Sequence, residues 1–429
     1  MLYVAPCPLW VLLKSDKVSF LLSRTLMRII HTSDWHLGQS FFNQSRQKEH
    51  HLLIKWLAEQ VKTQQVDAVI IAGDIFDTGT PPSYARSLYS ELILAMQAAN
   101  CQLIVTAGNH DSVATLNEIK SLVKALNCHV VSQASEDVAE QIVAISKAEK
   151  TLGYVCAIPF LRSKDIVTSR ADESIKEKQD NLAKGIYEHF ENTFQAAQTL
   201  KADQDIPIIM TGHLTAVGAS SSESVRDIYI GHLSGINAHQ LPNANYIALG
   251  HIHGAQKVGK EGNVFYSGSP IALSFDELKH TKSVNLVEFN GQNVSQISQL
   301  EIPRFQAMQT IKGNLAEIKN ALTVFAEQTE TTWLSIEVTT DDYISDLQNT
   351  VLDLTKDLPV EVLQLKRARK HVAKLSQQKQ ENLSEITPLE VFEKRIALEE
   401  FTTDDELARK ERLTQHFISL LNTAKGAQS

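Results

Sequence analysis

Aspartate, asparagine and histidine gather in five short motifs: Ser33-Asp34-Trp35-His36, Gly73-Asp74, Gly108-Asn109-His110-Asp111, Gly212-His213 and Gly250-His251-Ile252-His253. Each follows an apolar run of strand character, which places it where a strand gives way to a loop. In α/β sheets the loops leaving the carboxyl ends of strands converge on one crevice. Glycine beside such a residue lets the backbone turn sharply and approach closely. The candidate ligands are Asp34, His36, Asp74, Asn109, His213, His251 and His253. Seven nitrogen and oxygen donors are too many for one tetrahedral ion. They suit two ions about 3.5–4 Å apart that share a carboxylate. Such a pair polarises a phosphoryl group, lowers the pKa of a bridging water and stabilises charge in an in-line displacement. Imidazoles with carboxylates and no thiolate point to manganese, iron or zinc rather than magnesium or calcium. Any one motif is commonplace: a single histidine such as His213 is ordinarily structural, and Gly73-Asp74 looks like many strand-to-loop turns. His251 and His253 alternate, which on an extended segment puts both side chains on one side. The five in order carry the reading.

The elements that must position them alternate. Strand-like runs fall at residues 28–32, 68–72, 102–106, 152–158, 207–211, 246–249, 264–266 and 284–289. Between them, residues 83–99 and 112–126 have helical apolar faces, the latter through Val113, Leu116, Ile119, Leu122, Val123 and Leu126. Strands alternating with helices predict an α/β layered domain. After Pro303 a second pattern begins, with strands at 307–312, 333–339 and 360–365 and helices at 315–328 and 343–354. It predicts a small α+β domain over 305–370. A basic and polar linker, 371–386, follows. Thr387-Pro388-Leu389-Glu390 then supplies an N-cap, a proline at the first helical position and a capping-box glutamate. The helical region 387–424 presents Leu389, Phe392, Ile396 and Phe401, then Leu407, Leu413, Phe417, Leu420 and Leu421. Apolar helical faces on a tethered appendage fit a partner's groove.

The chain of 429 residues carries 41 basic and 50 acidic side chains, a net charge of -9. That argues against coating nucleic acid through the overall field, which rests on releasing counterions from phosphates. Contact with nucleic acid must come from a local site, bound cations or a partner. Cys7, Cys101, Cys128 and Cys156 show no CxxC spacing, so buried reduced thiols and a cytoplasmic setting are expected. Residues 1–26 hold two apolar stretches broken by Lys14, Asp16 and Lys17, too short to span a membrane and in the wrong order for a secretory signal. Met27 is read as the start, with 1–26 an upstream extension and 27–300 the first domain.

The motifs match the pattern D-x-H, G-D, G-N-H-[DE], G-H and G-H-x-H of the calcineurin-like metallophosphoesterase superfamily, which the chain resembles. The resemblance implies a four-layer α/β/β/α sandwich with a dimetal site at one rim. It implies that Asp34, His36 and His253 hold one ion, that Asn109, His213 and His251 hold the other, and that Asp74 bridges them. His110 is implied to face the phosphate and protonate the leaving oxygen, and Asp111 to orient His110. Gly73-Asp74-Ile75-Phe76-Asp77, Tyr266-Ser267-Gly268-Ser269-Pro270 and Leu273-Ser274-Phe275-Asp276-Glu277 further resemble the SbcD family of nuclease subunits. That similarity implies a manganese-dependent exonuclease and endonuclease acting on DNA ends and hairpins in repair and recombination. It also implies an SbcC-type coiled-coil ATPase partner and a homodimer within a two-by-two heterotetramer. Residues 305–370 become a capping domain, the C-terminal helices grip the partner, and the helices at 83–99 and 112–126 form the dimer contact. A phosphatase or nucleotide phosphodiesterase would share the dimetal site but would not need the C-terminal third. A non-catalytic scaffold would be expected to lack His110 or a ligand.

Overall fold

A run such as Ala68-Val69-Ile70-Ile71-Ala72 offers no polar face to water, so as a strand it must be covered on both sides. The computed structural model describes residues 26–166, 175–225, 235–259, 262–339, 347–368, 410–415 and 417. Its strands are β1 (Leu26–Thr32), β2 (Ser40–Phe41), β3 (Gln44–Ser45), β4 (Ala68–Ala72), β5 (Gln102–Thr106), β6 (Cys128–Val131), β7 (Ile142–Lys147), β8 (Lys150–Cys156) and β9 (Ile208–His213). There follow β10 (Tyr246–Gly250), β11 (Gln256–Lys257), β12 (Val264–Tyr266), β13 (Ser283–Asn290), β14 (Asn293–Glu301), β15 (Met308–Gly313), β16 (Thr332–Thr339) and β17 (Val360–Ala368). The α-helices are α1 (Gln47–Thr63), α2 (Ser83–Ala98), α3 (Val113–Asn117), α4 (Lys120–Lys124), α5 (Ser163–Ile166), α6 (Ile175–Lys201), α7 (Leu315–Leu322) and α8 (Leu347–Thr355).

Two six-stranded sheets form the body, in the orders β14-β13-β1-β4-β5-β6 and β11-β12-β10-β9-β8-β7. Within the first, β1, β4, β5 and β6 run parallel, and β13 and β14 close one edge antiparallel. Within the second, β8, β9, β10 and β12 run parallel, with short antiparallel strands at both edges. Period-two alternation sorts the side chains into layers. On β4, Ala68 and Ile70 join Met27, Ile29, Val155, Ile209 and Phe289 between the sheets. Val69 and Ile71 instead pack with Leu53, Leu57, Leu88 and Leu92 of α1 and α2. Phe190 and Phe194 of α6 cover the outer face of the second sheet with Ile208 and Met210. The result is helix, sheet, sheet, helix, as the sequence predicts. His31, fully buried between the sheets, reaches Tyr246 Oη at 2.9 Å and the Leu249 carbonyl at 3.2 Å.

A third sheet, β15-β16-β17, packs α7 and α8 through Ile311, Ile318, Leu322, Phe325, Leu334, Ile336 and Val351. It meets the body through Phe41, Phe275, Met308 and Trp333, with Phe41 stacked on Trp333 at 5.7 Å and the buried Arg46 guanidinium against both rings.

The structure departs from the sequence reading in particular places. The helix expected at 112–126 is two short ones, α3 and α4, with Leu116 and Val123 buried but Leu122 exposed. Asn117, at the end of α3, accepts a hydrogen bond from Ser132 at 2.8 Å, and the periodicity of the apolar face survives the break. The helix expected at 315–328 ends at Leu322 and tightens into a 3-10 turn over Thr323–Phe325, where β-branched Thr323 and Val324 favour helix less. Helices α1 and α6 and strands β6, β7 and β14 were not anticipated. Residues 1–25, the linker 371–386 and most of 387–424 lie outside the described residues; 410–415 are helical. Cys101, Cys128 and Cys156 are buried free thiols. Among the described residues no helix is long and apolar enough to cross a membrane.

Candidate metal centre

The five motifs meet at one end of the two sheets, and their backbones interlock. Asp34 N donates to Gly73 O at 3.0 Å and His36 N to Asp74 O at 3.1 Å. His110 N donates to Asp74 Oδ1 at 2.9 Å, and His251 N reaches both Asp34 carboxylate oxygens, at 2.9 and 3.1 Å. His213 Nδ1 lies 3.0 Å from Ala72 O. Asp34, His36, Asp74 and His251 all hold positive φ, at 54, 48, 52 and 94°. Non-glycine residues rarely adopt that conformation unless the surroundings enforce it. The glycines have a plainer duty, which is to leave room. A Cβ on Gly73 would stand 2.1 Å from His213 Nδ1, and one on Gly108 would stand 2.1 Å from Asp74 Oδ1.

The donor atoms converge on Asp74. Its Oδ2 lies 3.6 Å from His36 Nε2 and 3.3 Å from His213 Nε2. His213 Nε2 is in turn 2.9 Å from Asn109 Oδ1, and the His251 ring stands 5.4 Å from that of His213. On the other side, donors of Asp34, His36 and His253 lie within 4.8 Å of one another. All seven residues expected as ligands are therefore gathered. His36 Nδ1 is bonded to Asp77 Oδ1 at 3.0 Å, which leaves His36 Nε2 buried with no hydrogen-bond partner. A buried polar atom without a partner is costly, and this one points at a carboxylate oxygen that a second imidazole also faces. The donor set fits divalent cations.

Electrostatics agree. Burial works to depress His36 and His213, yet the Asp77 hydrogen bond and the Asp74 and Asp34 charges hold His36 above its usual range. His213 is lifted to about 9, burial being outweighed by Asp74 and Asp34. The carboxylates thus call for positive charge between the rings. His251 moves the other way, to about 3, through burial first and His213 second.

His110 is half-buried where the carboxylate and imidazole ligands are buried. Its Nδ1 lies 2.7 Å from the Asp77 carbonyl, and its ring stands edge-on to His36 at 4.7 Å. Asp111 has a different attachment from the one expected. Its carboxylate accepts from the backbone amides of Ile75, Phe76 and Gly108 at 3.1, 2.9 and 2.8 Å, tying the Gly108–Asp111 loop to the loop after β4. It braces the backbone that carries His110, while Asp77 O holds the ring. Burial and the neighbouring Asp74 charge push the Asp111 carboxyl up to about 6.

Several supporting residues escaped the sequence reading. Asp77 orients His36 through its side chain and His110 through its carbonyl. Ser33 donates to Asp34 Oδ2 at 2.6 Å. Ser224 Oγ and Glu277 Oε1 face His253 Nδ1 at 2.6 and 3.2 Å. Asp77 follows Asp74 by three positions, a weak signal; nothing in the sequence joins Ser224 or Glu277 to His253.

Residues 27–255 match the family model described as calcineurin-like phosphoesterase. Residues 304–400 match the one described as type 5 capsule protein repressor C-terminal domain. The SbcD subunit of the SbcCD nuclease of Escherichia coli (strain K12) is 48% identical over 404 residues, covering 93% of this chain and 99% of that protein. The SbcD subunits of Rhodobacter capsulatus and Bacillus subtilis are 28% and 29% identical, covering 62% and 61% of this chain and 67% and 66% of their own lengths. With five motifs folded into one cation-demanding cluster, and near-half identity along almost the whole length of a relative, the chain belongs to the SbcD family of calcineurin-like phosphoesterases.

Proposed function

We propose that this protein is a metal-dependent DNA nuclease, cleaving phosphodiesters at ends and hairpins as the nuclease subunit of an SbcCD-type complex. The observation that carries the reading is Asp74 Oδ2 placed between two imidazole nitrogens, 3.6 and 3.3 Å away, one of them a buried orphan. Asp34, His36 and His253 would hold one ion, Asn109, His213 and His251 the other, and Asp74 would bridge them. Two Mn2+ ions, when bound, supply an activated water and neutralise charge on the phosphate. With Nδ1 donating to Asp77 O, His110 presents Nε2 to the open side, where it gives its proton to the leaving oxygen as the P–O bond breaks. Asp111 keeps the loop of His110 in register with that of Asp74.

The net charge of -9 supports DNA binding through bound cations and a partner rather than through a basic coat. The names of the relatives support an SbcC-type coiled-coil ATPase as that partner. Residues 305–370 act as a capping domain, and 387–424, beyond the linker 371–386, as the partner-binding region. Leu94 of α2 and Leu122 of α4, 55% and 67% exposed, offer apolar surface for a homodimer within a two-by-two assembly. A cytoplasmic location is part of the same reading. The test is cleavage of hairpin DNA and of p-nitrophenyl phosphate in Mn2+, with and without the ATPase, and with EDTA as control. DNA cleavage that EDTA abolishes and the ATPase enhances is expected. Turnover of the phosphomonoester with no cleavage of DNA would overturn the reading.

A further inference from the structure

The Leu273–Glu277 segment is used by nothing in the chemistry above, yet it ends directly behind His253. We infer that Glu277, fixed by Lys282, is a positioning residue that sets the tautomer and orientation of His253 for its metal; the inference rests on the dimetal reading. Glu277 is 3% exposed, and both of its carboxylate oxygens are engaged. Oε2 accepts from Lys282 Nζ at 2.6 Å, Leu273 N at 3.0 Å and Ser269 Oγ at 3.2 Å. Oε1 accepts from Ser222 Oγ at 2.9 Å and from Ser224 Oγ, and lies 3.2 Å from His253 Nδ1. A carboxylate facing a cation and so many donors acts only as an acceptor. The imidazole opposite it must then carry its hydrogen on Nδ1, which leaves the Nε2 lone pair for a cation.

The clamp is built from the other side too. Lys282 Nζ also donates to the His253 carbonyl at 3.1 Å, so one ammonium pins both the backbone of the histidine and the carboxylate behind its ring. Glu277 sits on a 3-10 turn, Phe275–Lys279, whose Phe275 packs on Phe41 at 5.2 Å. Both the ring and the carboxylate that steers it therefore rest on packed structure. A carboxylate behind a metal-bound histidine raises its basicity and fixes its direction, and losing such a partner ordinarily costs about 10–100-fold in metal affinity. His36 has an equivalent in Asp77, while His213 uses only a carbonyl, so the two histidines on Asp34's side are the carboxylate-backed ones.

The experiment titrates MnCl2 into metal-free full-length protein, wild type and Glu277→Gln, by calorimetry and by Mn2+ electron paramagnetic resonance. Wild type should take up two ions. The variant should lose about 10–100-fold in affinity at one site only, showing the six-line signal of an isolated Mn2+ at loadings where wild type shows an exchange-coupled pair. A purely structural role would lower the melting temperature of the metal-free protein and leave that signal and affinity unchanged, which would overturn the inference. Should Glu277→Gln not fold, Ser224→Ala removes the other Nδ1 contact from a half-buried loop. It should weaken the same site to a smaller degree, and two wild-type sites in Ser224→Ala would count against the relay. Fewer than two ions in wild type would sink the dimetal reading itself; two wild-type sites in a folded Glu277→Gln would sink only the role of Glu277.

Discussion

Asp111→Asn separates bracing of the loops from any direct part in chemistry, and its size follows from the geometry. The two oxygens of Asp111 are unequal: Oδ2 accepts from Gly108 N at 2.8 Å and Ile75 N at 3.1 Å, while Oδ1 accepts from Phe76 N alone at 2.9 Å. An asparagine in the same rotamer has one carbonyl oxygen. Placed at the Oδ2 position it keeps two bonds, but its NH2 then faces the Phe76 amide, donor against donor. Placed at Oδ1 it keeps one. A bond to a charged acceptor contributes about 1.5–3 kcal/mol and an unpaired buried donor costs about 1–3 kcal/mol. Asp111→Asn should therefore lose about 2–4 kcal/mol, a large fraction of the ~5–15 kcal/mol that holds a typical domain folded. Asp111→Ala leaves all three amides without the carboxylate and should lose more. Urea denaturation in EDTA, followed by far-UV circular dichroism, measures this without a contribution from bound ions. A midpoint and slope indistinguishable from wild type in Asp111→Asn would refute the argument that the carboxylate holds the two loops together.

His110→Gln should cut DNA cleavage by about 10²–10⁴-fold while elemental analysis still finds two ions; loss of an ion would make His110 a ligand instead. Asp74→Ala removes the shared oxygen and should release both ions on dialysis, an outcome that full retention of metal would contradict. Burial lowers His31 to about 3, whereas the unfolded chain takes up that proton near pH 6.5. The folded state then binds fewer protons, so this contribution is intact above about pH 6.5 and falls between there and about pH 3 by roughly 1.4 kcal/mol per unit. Replacing His31 by Gln should flatten the acid limb of a stability–pH curve, though only in part because His50 is lowered to about 3 as well, by burial and then Arg46; an unaltered limb would remove His31 from the account. Trp333→Ala should cost about 3 kcal/mol and speed amide exchange through residues 305–339, and exchange at the wild-type rate would mean that the aromatic cluster does not anchor the third sheet.

The parts of this protein that were legible in the sequence are those whose constraint is local. A fully apolar run such as Ala68–Ala72 must be covered on both faces, so β4 and its neighbours were readable one at a time. The seven donors were readable because each lies at a strand end next to a glycine. What escaped depends on closure of the fold. Helix α1 contributes Leu53, Leu57 and Val61 to the core, but its sequence, rich in Lys, Glu, Gln and His, carries too few apolar residues to stand out. Glu277 lies 24 residues beyond His253, and only the return of the chain through β12 brings the two together. Phe41, Phe275 and Trp333 are distributed over three unrelated segments, so the joint they make had no sequence signal. Asp111 was placed correctly near the site but with the wrong partner, because adjacency to His110 in sequence says nothing about which amides a buried carboxylate will find.

The backbone bonds explain why the order of the motifs carries more than any one of them. Four ligand residues sit at positive φ, a conformation that costs about 1–3 kcal/mol wherever the surroundings do not enforce it. None is enforced by its own segment. Asp34 and His36 are held by the carbonyls of Gly73 and Asp74, His251 by the Asp34 carboxylate, His110 by Asp74 Oδ1, and His213 by Ala72 O. The carboxylates that face the cations are thus also the acceptors that fix the ligand loops. Replacing one of them by an apolar residue removes a donor to metal and a brace for a second motif together. A sequence that kept four motifs and lost Gly73-Asp74 would have no acceptor left for the other strand ends to lean on.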